Sequence, residues 1–330
     1  MNSSPVSPAN WESIRIQIDK NEVQTKNNFK KIDSKKVLVA CSGGADSVAL
    51  AILCRTFDID FGVAYIDHGI NVETQNSEIV VKELATICDV PFFTSYLDLA
   101  DNNMVNSNVE AVARDQRYKA LEAIRVNHGY DLVATAHHLD DFAETYLINL
   151  IRGSGSGAAS LVESRNYLFR PVLNWRKSEL IDLVKNCGLT HHEDKMNLDS
   201  RFVRNRIRNE AIGLLSDIAG RDVTPLIARA AANIARDTDY LQRLAASKWP
   251  TGQASTNDLM ALEPVLQVHA IREWIQGYPP STDEMDRILS VARHEILSTQ
   301  ISGNRTIRRS GAVLYQDVTS FKSTHNQEGI

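Results

Sequence analysis

The sequence predicts an α/β protein: a doubly wound parallel sheet followed by a smaller, mainly helical domain. Three observations point there. Short apolar runs alternate with helical patterns through the first half of the chain. A glycine-rich turn falls between the first such run and the helix after it. The strand signal then fades after residue 170. Apolar strands joined by helical crossovers imply parallel pairing, with both faces of the sheet covered.

The elements follow in order. Residues 37–41 (VLVAC) read as a buried strand and 47–54 (SVALAILC) as a buried helix. Residues 61–66 (FGVAYI) form a second strand, 77–88 a helix, 91–97 a third strand and 109–125 an amphipathic helix. Residues 131–136 (DLVATA) are a fourth strand, and 140–151 a helix ended by Gly153. Beyond it, 176–187, 203–215 and 224–247 have helical patterns, and 305–318 (RTIRRSGAVLYQDV) reads as a short β-ribbon. The domain boundary is expected near residue 216, giving domains 1–215 and 216–330.

The chain has 330 residues, long for one core and enough for two. No apolar run approaches the roughly 20 residues that span a bilayer, and the N-terminus lacks the basic and apolar regions of a secretory signal. The expectation is a cytoplasmic protein with no membrane partner. Its four cysteines, Cys41, Cys54, Cys88 and Cys187, form no C-x-x-C pair and no zinc, disulfide or iron–sulfur spacing. The formal net charge of -5 argues mildly against a polyanionic partner. Basic clusters argue the other way: Lys26 to Lys36, Arg201 to Arg236, and Arg305 to Arg309. Each cluster alone also fits a solvated face. Together, in a chain with a nucleotide motif, they point to RNA.

That motif is Ser42-Gly43-Gly44-Ala45-Asp46-Ser47. Glycines allow the backbone N–H groups to approach phosphate oxygens, the two serines add hydroxyl donors, and the helix N-terminus adds its positive end. There is no G-K-[ST], so it is not a Walker A loop. Four further segments carry chemistry. Ile66-Asp67-His68-Gly69 ends the second strand. Glu110 to Tyr118 places Arg114, Arg117 and Tyr118 on one helix face. His137-His138-Leu139-Asp140-Asp141-Phe142-Ala143-Glu144-Thr145 follows the fourth strand, with His137, Asp141 and Glu144 at helical spacing; a histidine with two carboxylates at a strand–helix junction fits a metal site. Last comes Glu193-Asp194, then Asn197, Asp199, Arg204-Asn205 and Ile207-Arg208, with Arg204 and Arg208 pointing the same way.

Together these segments resemble the tRNA(Ile)-lysidine synthetases of the PP-loop, or N-type ATP pyrophosphatase, superfamily. The loop matches S-G-G-x-D-S, and the later segments match A-R-x-x-R-Y, H-H-x-D-D-x-x-E-T and R-N-x-I-R. The chain departs from the family at Ile70 and Asn71, where leucine and arginine are usual, at Met196 for serine, and at Ala158 to Ser160. The resemblance covers residues 37–208 densely and thins after 216, and it reads as the short form of the family. It implies an adenine nucleotide alpha hydrolase-like fold and a C-terminal tRNA-binding domain.

The resemblance also implies a reaction. ATP sits on Ser42, Gly43, Gly44, Ala45, Asp46 and Ser47, near His68, with Asp46 as a Mg²⁺ ligand. The wobble cytidine of a CAU-anticodon isoleucine tRNA is adenylated, and L-lysine then displaces AMP. Asp46, Arg114, Asp141 and Glu144 are the implied catalytic set. Asp141 and Glu144 would hold the lysine ammonium, and one of them would accept its proton. Arg117, Tyr118, Arg204 and Arg208 would face tRNA or substrate. A homodimer is admitted but not required. Two rivals remain: a PP-loop tRNA thiolase, which usually employs paired cysteines, and a nucleotide-gated RNA-binding protein without catalysis.

Overall fold

The computed structural model describes residues 23–67, 74–97, 109–153, 163–192, 203–250, 254–275 and 280–318. It divides into two compact units, Met1–Ala232 and Asn233–Ile330.

The first unit alternates strand and helix. In order, its elements are α1 (Val23–Lys30), β1 (Lys36–Ala40), α2 (Ala45–Thr56), β2 (Asp60–Asp67), α3 (Thr74–Cys88), β3 (Phe92–Tyr96) and α4 (Val109–Asn127). Then come β4 (Leu132–Ala134), α5 (Leu139–Ile151), β5 (Ser164–Arg165), β6 (Leu168–Phe169) and α6 (Lys177–Asn186). The strands join in one six-stranded sheet of order β3-β2-β1-β4-β6-β5. All pairings are parallel except that of β5 with β6. Strand order runs outward in both directions from β1. The β1–β4 crevice is therefore the switch point, where ligands of such sheets gather at the carboxyl ends.

The period-2 pattern of β1 explains its burial. Val37, Val39 and Cys41 face one core with α2 and α6, while Leu38 and Ala40 face another with Leu121 of α4 and Tyr130. Both faces are apolar, so the strand is central. On β2, Gly62 makes room for Tyr130: a Cβ there would lie 2.1 Å from the tyrosine Oη.

After α6 come α7 (Val203–Arg206), a π-helical turn (Ile207–Ala211), α8 (Ile212–Ala219) and the long α9 (Thr224–Lys248). Gly220 ends α8 in the left-handed conformation at φ 62°. The 203–215 helical pattern thus continues to residue 219 and contains a π turn. The division between the two units falls within α9.

The second unit holds α10 (Thr256–Met260), α11 (Pro264–Ile275), α12 (Thr282–Ala292) and an antiparallel sheet of β7 (Ser298–Ile301), β8 (Arg305–Ser310) and β9 (Val313–Val318). Leu259, Ile271, Ile275 and Ile288 are fully buried in its core. The ribbon expected at 305–318 is there, with β7 added at its edge. No helix among the described residues is long and apolar enough to cross a membrane.

Candidate functional site

Two loops meet at the carboxyl ends of β1 and β4. The first is Ser42–Gly44, leading into α2. Gly43 adopts φ +82°, and a Cβ on it would lie 3.0 Å from the Ser77 carbonyl oxygen, so both conformation and space call for glycine. Ser47 ties the turn together: its Oγ accepts from the Ser42 N–H at 3.2 Å and donates to the Gly44 carbonyl at 2.9 Å. Cys41 is buried behind this hydroxyl, its Sγ 3.4 Å from Ser47 Oγ, and burial raises its thiol pKa. Gly44 caps α2 without a side-chain hydrogen bond, leaving the first turn to an anion.

Asp46 stands in that first turn. Its Oδ2 faces His138 Nε2 at 3.6 Å, and its Oδ1 is buried with no hydrogen-bond partner. Among the described residues, no group of three or more histidine, cysteine or acidic side chains could hold a metal. Mg²⁺ usually takes only one or two carboxylates and fills its shell with phosphates and water. An orphaned carboxylate oxygen beside a phosphate-type loop fits that pattern.

The second loop leads from β4 into α5. His138 is 1% exposed and caps α5. Its Nδ1 accepts from the Asp141 N–H at 3.3 Å, while its own N–H donates to Asp141 Oδ2 at 3.1 Å. Its Nε2 lies 3.4 Å from Asp141 Oδ2. Burial pulls its pKa down, but Asp46, Asp141 and Asp140 outweigh burial, and the net shift is upward. His137 behaves oppositely. Burial, with Arg170, Arg114 and Arg117 nearby, outweighs Asp141 and takes its pKa down to about 3. Its Nδ1 is 2.9 Å from Thr135 Oγ1. Burial raises the pKa of Asp141, but His138, Arg204 and His137 overcome it and hold the carboxyl below the usual range.

Glu144 is fully buried and already engaged. Arg208 Nε donates to its Oε1 at 2.5 Å and Arg204 Nε to its Oε2 at 2.8 Å. Both guanidiniums also reach toward Asp141 Oδ1, at 3.6 and 3.8 Å. Arg204 lies on α7 and Arg208 in the π turn, four residues on, and both reach one carboxylate. Arg114 lies against Tyr118, with its guanidinium 5.3 Å from the ring centroid. Burial, with Arg114 beside it, lowers the pKa of Arg117 despite Tyr118 and Cys41.

The structure thus gathers Asp46, Asp141, Glu144, Arg204 and Arg208, joined through His138. His68 lies outside the described residues, as do Glu193, Asp194, Asn197 and Asp199. Three features went unread in the sequence. His138 bridges the two loops. Arg170, 5% exposed, sits just past β6 and acts on His137. Asp140 accepts from Arg176 and from the Lys177 N–H, and Arg176 in turn donates to Asp222. Nothing in the sequence marks Arg170, because its burial and its place after β6 appear only in the fold. The partners of Asp140 left no signal either.

The PP-loop domain family matches residues 18–215 of the chain. A tRNA(Ile)-lysidine synthase from Mycobacterium bovis is 33% identical over 305 residues, covering 84% of this chain and 89% of that protein. One from Nostoc sp. is 32% identical over 259 residues, covering 74% and 73%. One from Novosphingobium aromaticivorans is 39% identical over 185 residues, and the chain spans only 56% of that relative's length. Among solved structures, a U34-tRNA thiolase from Methanococcus maripaludis carrying a [4Fe-4S] cluster superimposes with a TM-score of 0.53. It is 17% identical, covers 64% of this chain and 78% of that one, and so shares the fold.

Proposed function

This chain belongs to the tRNA(Ile)-lysidine synthase family, and from that premise we propose that it ligates L-lysine to carbon 2 of the wobble cytidine of a CAU-anticodon isoleucine tRNA, using ATP, in the cytoplasm. In the first step the cytidine O2 attacks the α-phosphate of ATP and pyrophosphate leaves. In the second the lysine ε-nitrogen attacks carbon 2, its proton passes to a base, and AMP leaves. The adenylate turns an unreactive carbonyl carbon into one with a good leaving group.

The observation that carries this reading is the meeting of two acids with different tasks. Asp46 on the loop and Asp141 on α5 flank the same His138 Nε2, at 3.6 and 3.4 Å. Asp46 belongs to the nucleotide: its orphaned Oδ1 suits a cation shared with the phosphates. Bound Mg²⁺ would offset the charge that develops on the departing pyrophosphate. Asp141 belongs to the amine. It is ionised at neutral pH and attracts the ammonium, but its depressed pKa makes it a weak base, so proton loss must accompany attack. Glu144 acts through Arg204 and Arg208, which it holds beside Asp141. Neutral His137 with Arg114 and Arg117 lines the phosphate side.

The test is a labelling experiment. Purified protein, ATP, Mg²⁺, radiolabelled lysine and unmodified CAU-anticodon isoleucine tRNA should give acid-stable label at the wobble base. A CAU-anticodon methionine tRNA should stay unlabelled. Label on neither tRNA, from protein that still binds ATP, would overturn the proposal.

A further inference from the structure

We propose that His138 is a positioning residue that aims Asp46 at the cation. This rests on the reading of Asp46 as a Mg²⁺ ligand and deepens it.

The two ring nitrogens of His138 do different work. Nδ1 is spent inside its own helix, accepting from the Asp141 N–H at the start of α5. Nε2 points out of the helix into the gap between Asp46 Oδ2, at 3.6 Å, and Asp141 Oδ2, at 3.4 Å. A neutral imidazole that accepts through Nδ1 carries its proton on Nε2, so Nε2 is a donor facing two acceptors. The ring is 1% exposed, and α5 fixes its position, so it cannot follow Asp46 if Asp46 turns.

The consequence lies on the other oxygen. With Oδ2 held toward the imidazole, Oδ1 is left buried with no protein partner. A carboxylate with one oxygen drawn toward the imidazole, at 3.6 Å, keeps the other turned away from it. Partners of this kind around metal ligands are worth about 10–100-fold in metal affinity. The same ring touches Asp141, so the loop that carries the nucleotide and the helix that receives the amine are registered to each other through one buried side chain. Without it, two carboxylates would face each other across the gap with nothing between them.

Two substitutions separate the roles of the nitrogens. In His138→Asn the amide oxygen stands where Nδ1 was, and asparagine is a good helix cap, but nothing reaches Asp46. In His138→Gln the amide nitrogen stands where Nε2 was, and the cap is lost. Mn²⁺ serves as a paramagnetic probe, titrated against the ATP-loaded protein and read by electron paramagnetic resonance, with thermal unfolding measured in parallel. His138→Asn should keep the melting temperature within a few degrees and weaken Mn²⁺ binding about 10-fold or more. His138→Gln should melt several degrees lower and keep Mn²⁺ affinity within about threefold of wild type. Equal loss of affinity in both, or loss in neither, would overturn the inference. Asp46→Asn is the control that tells the two failures apart. If it leaves Mn²⁺ affinity unchanged, the reading of Asp46 as a ligand is wrong. If it weakens binding while His138→Asn binds Mn²⁺ as tightly as wild type, only the role of His138 is wrong.

Discussion

The two loops at the switch point are built on opposite plans. The loop after β1 is made of backbone: glycines, a helix start without a side-chain cap, and one carboxylate oxygen with no partner. The head of α5 is made of side chains whose charges are paired: Glu144 with two arginines, Asp141 with His138 and the same arginines, Asp140 with Arg176. One loop waits for a ligand. The other is already satisfied, and a new cation can enter it only by competing with guanidiniums. The difference teaches where the energy sits. The loop's cost is met on binding, whereas the head of α5 contributes to folding before any substrate arrives.

Substitutions can break this contrast or sharpen it. The largest effect should come from Glu144→Gln, which leaves two guanidiniums without their carboxylate. Removing one partner of a buried pair costs about 3 kcal/mol, at the low end of the range because Arg204 keeps access to water. Urea unfolding should show that loss. An unchanged midpoint would mean that the arginines do not stabilise the α5 head. Next is Gly43→Ala. A non-glycine residue at φ +82° costs about 1–2 kcal/mol, and the added carbon would press on the Ser77 carbonyl. ATP affinity, read by calorimetry, should fall at least tenfold. Full affinity would show that the turn binds through something other than its backbone.

The third test uses pH. Burial takes the His137 pKa from its ordinary 6.5 down to about 3. A base depressed by folding contributes full stability above its unfolded pKa and loses it as pH falls from about 6.5 toward 3. The loss is at most about 1.4 kcal/mol per pH unit. His137→Asn should therefore be penalised at pH 7 and progressively less toward pH 4. A penalty independent of pH would contradict the half-buried, neutral ring. The smallest effect should come from Glu210→Ala in the π turn. Its pair with Arg206 is exposed, and the melting temperature should not move.

Much of this was legible in the sequence, for physical reasons that differ by element. The central strands announced themselves because burial on both faces demands unbroken apolar residues, as in Val37–Cys41. The phosphate loop announced itself because glycine is needed where φ is positive. What stayed hidden was pairing over distance. Arg204 and Arg208 lie 60 and 64 residues from Glu144, and no local pattern says that this acid pairs with both. The π turn leaves no signature in residue type. The β5–β6 hairpin has two-residue strands, too short to show a period. His138 looked like half of a histidine pair. Its role needs the cap and the Asp46 contact, which only the folded backbone brings together.

The central claim is a division of labour: the loop activates the base, and α5 delivers the amine. Splitting the reaction tests it most directly. Asp46→Asn and Asp141→Asn would each be assayed for tRNA-dependent ATP–pyrophosphate exchange, and then for single-turnover lysine transfer from preformed adenylate. Asp46→Asn should lose exchange and still transfer lysine to adenylate supplied to it. Asp141→Asn should keep exchange and lose transfer. If Asp141→Asn transfers lysine at the wild-type rate, or if both variants fail only in exchange, the two loops do not divide the chemistry in this way.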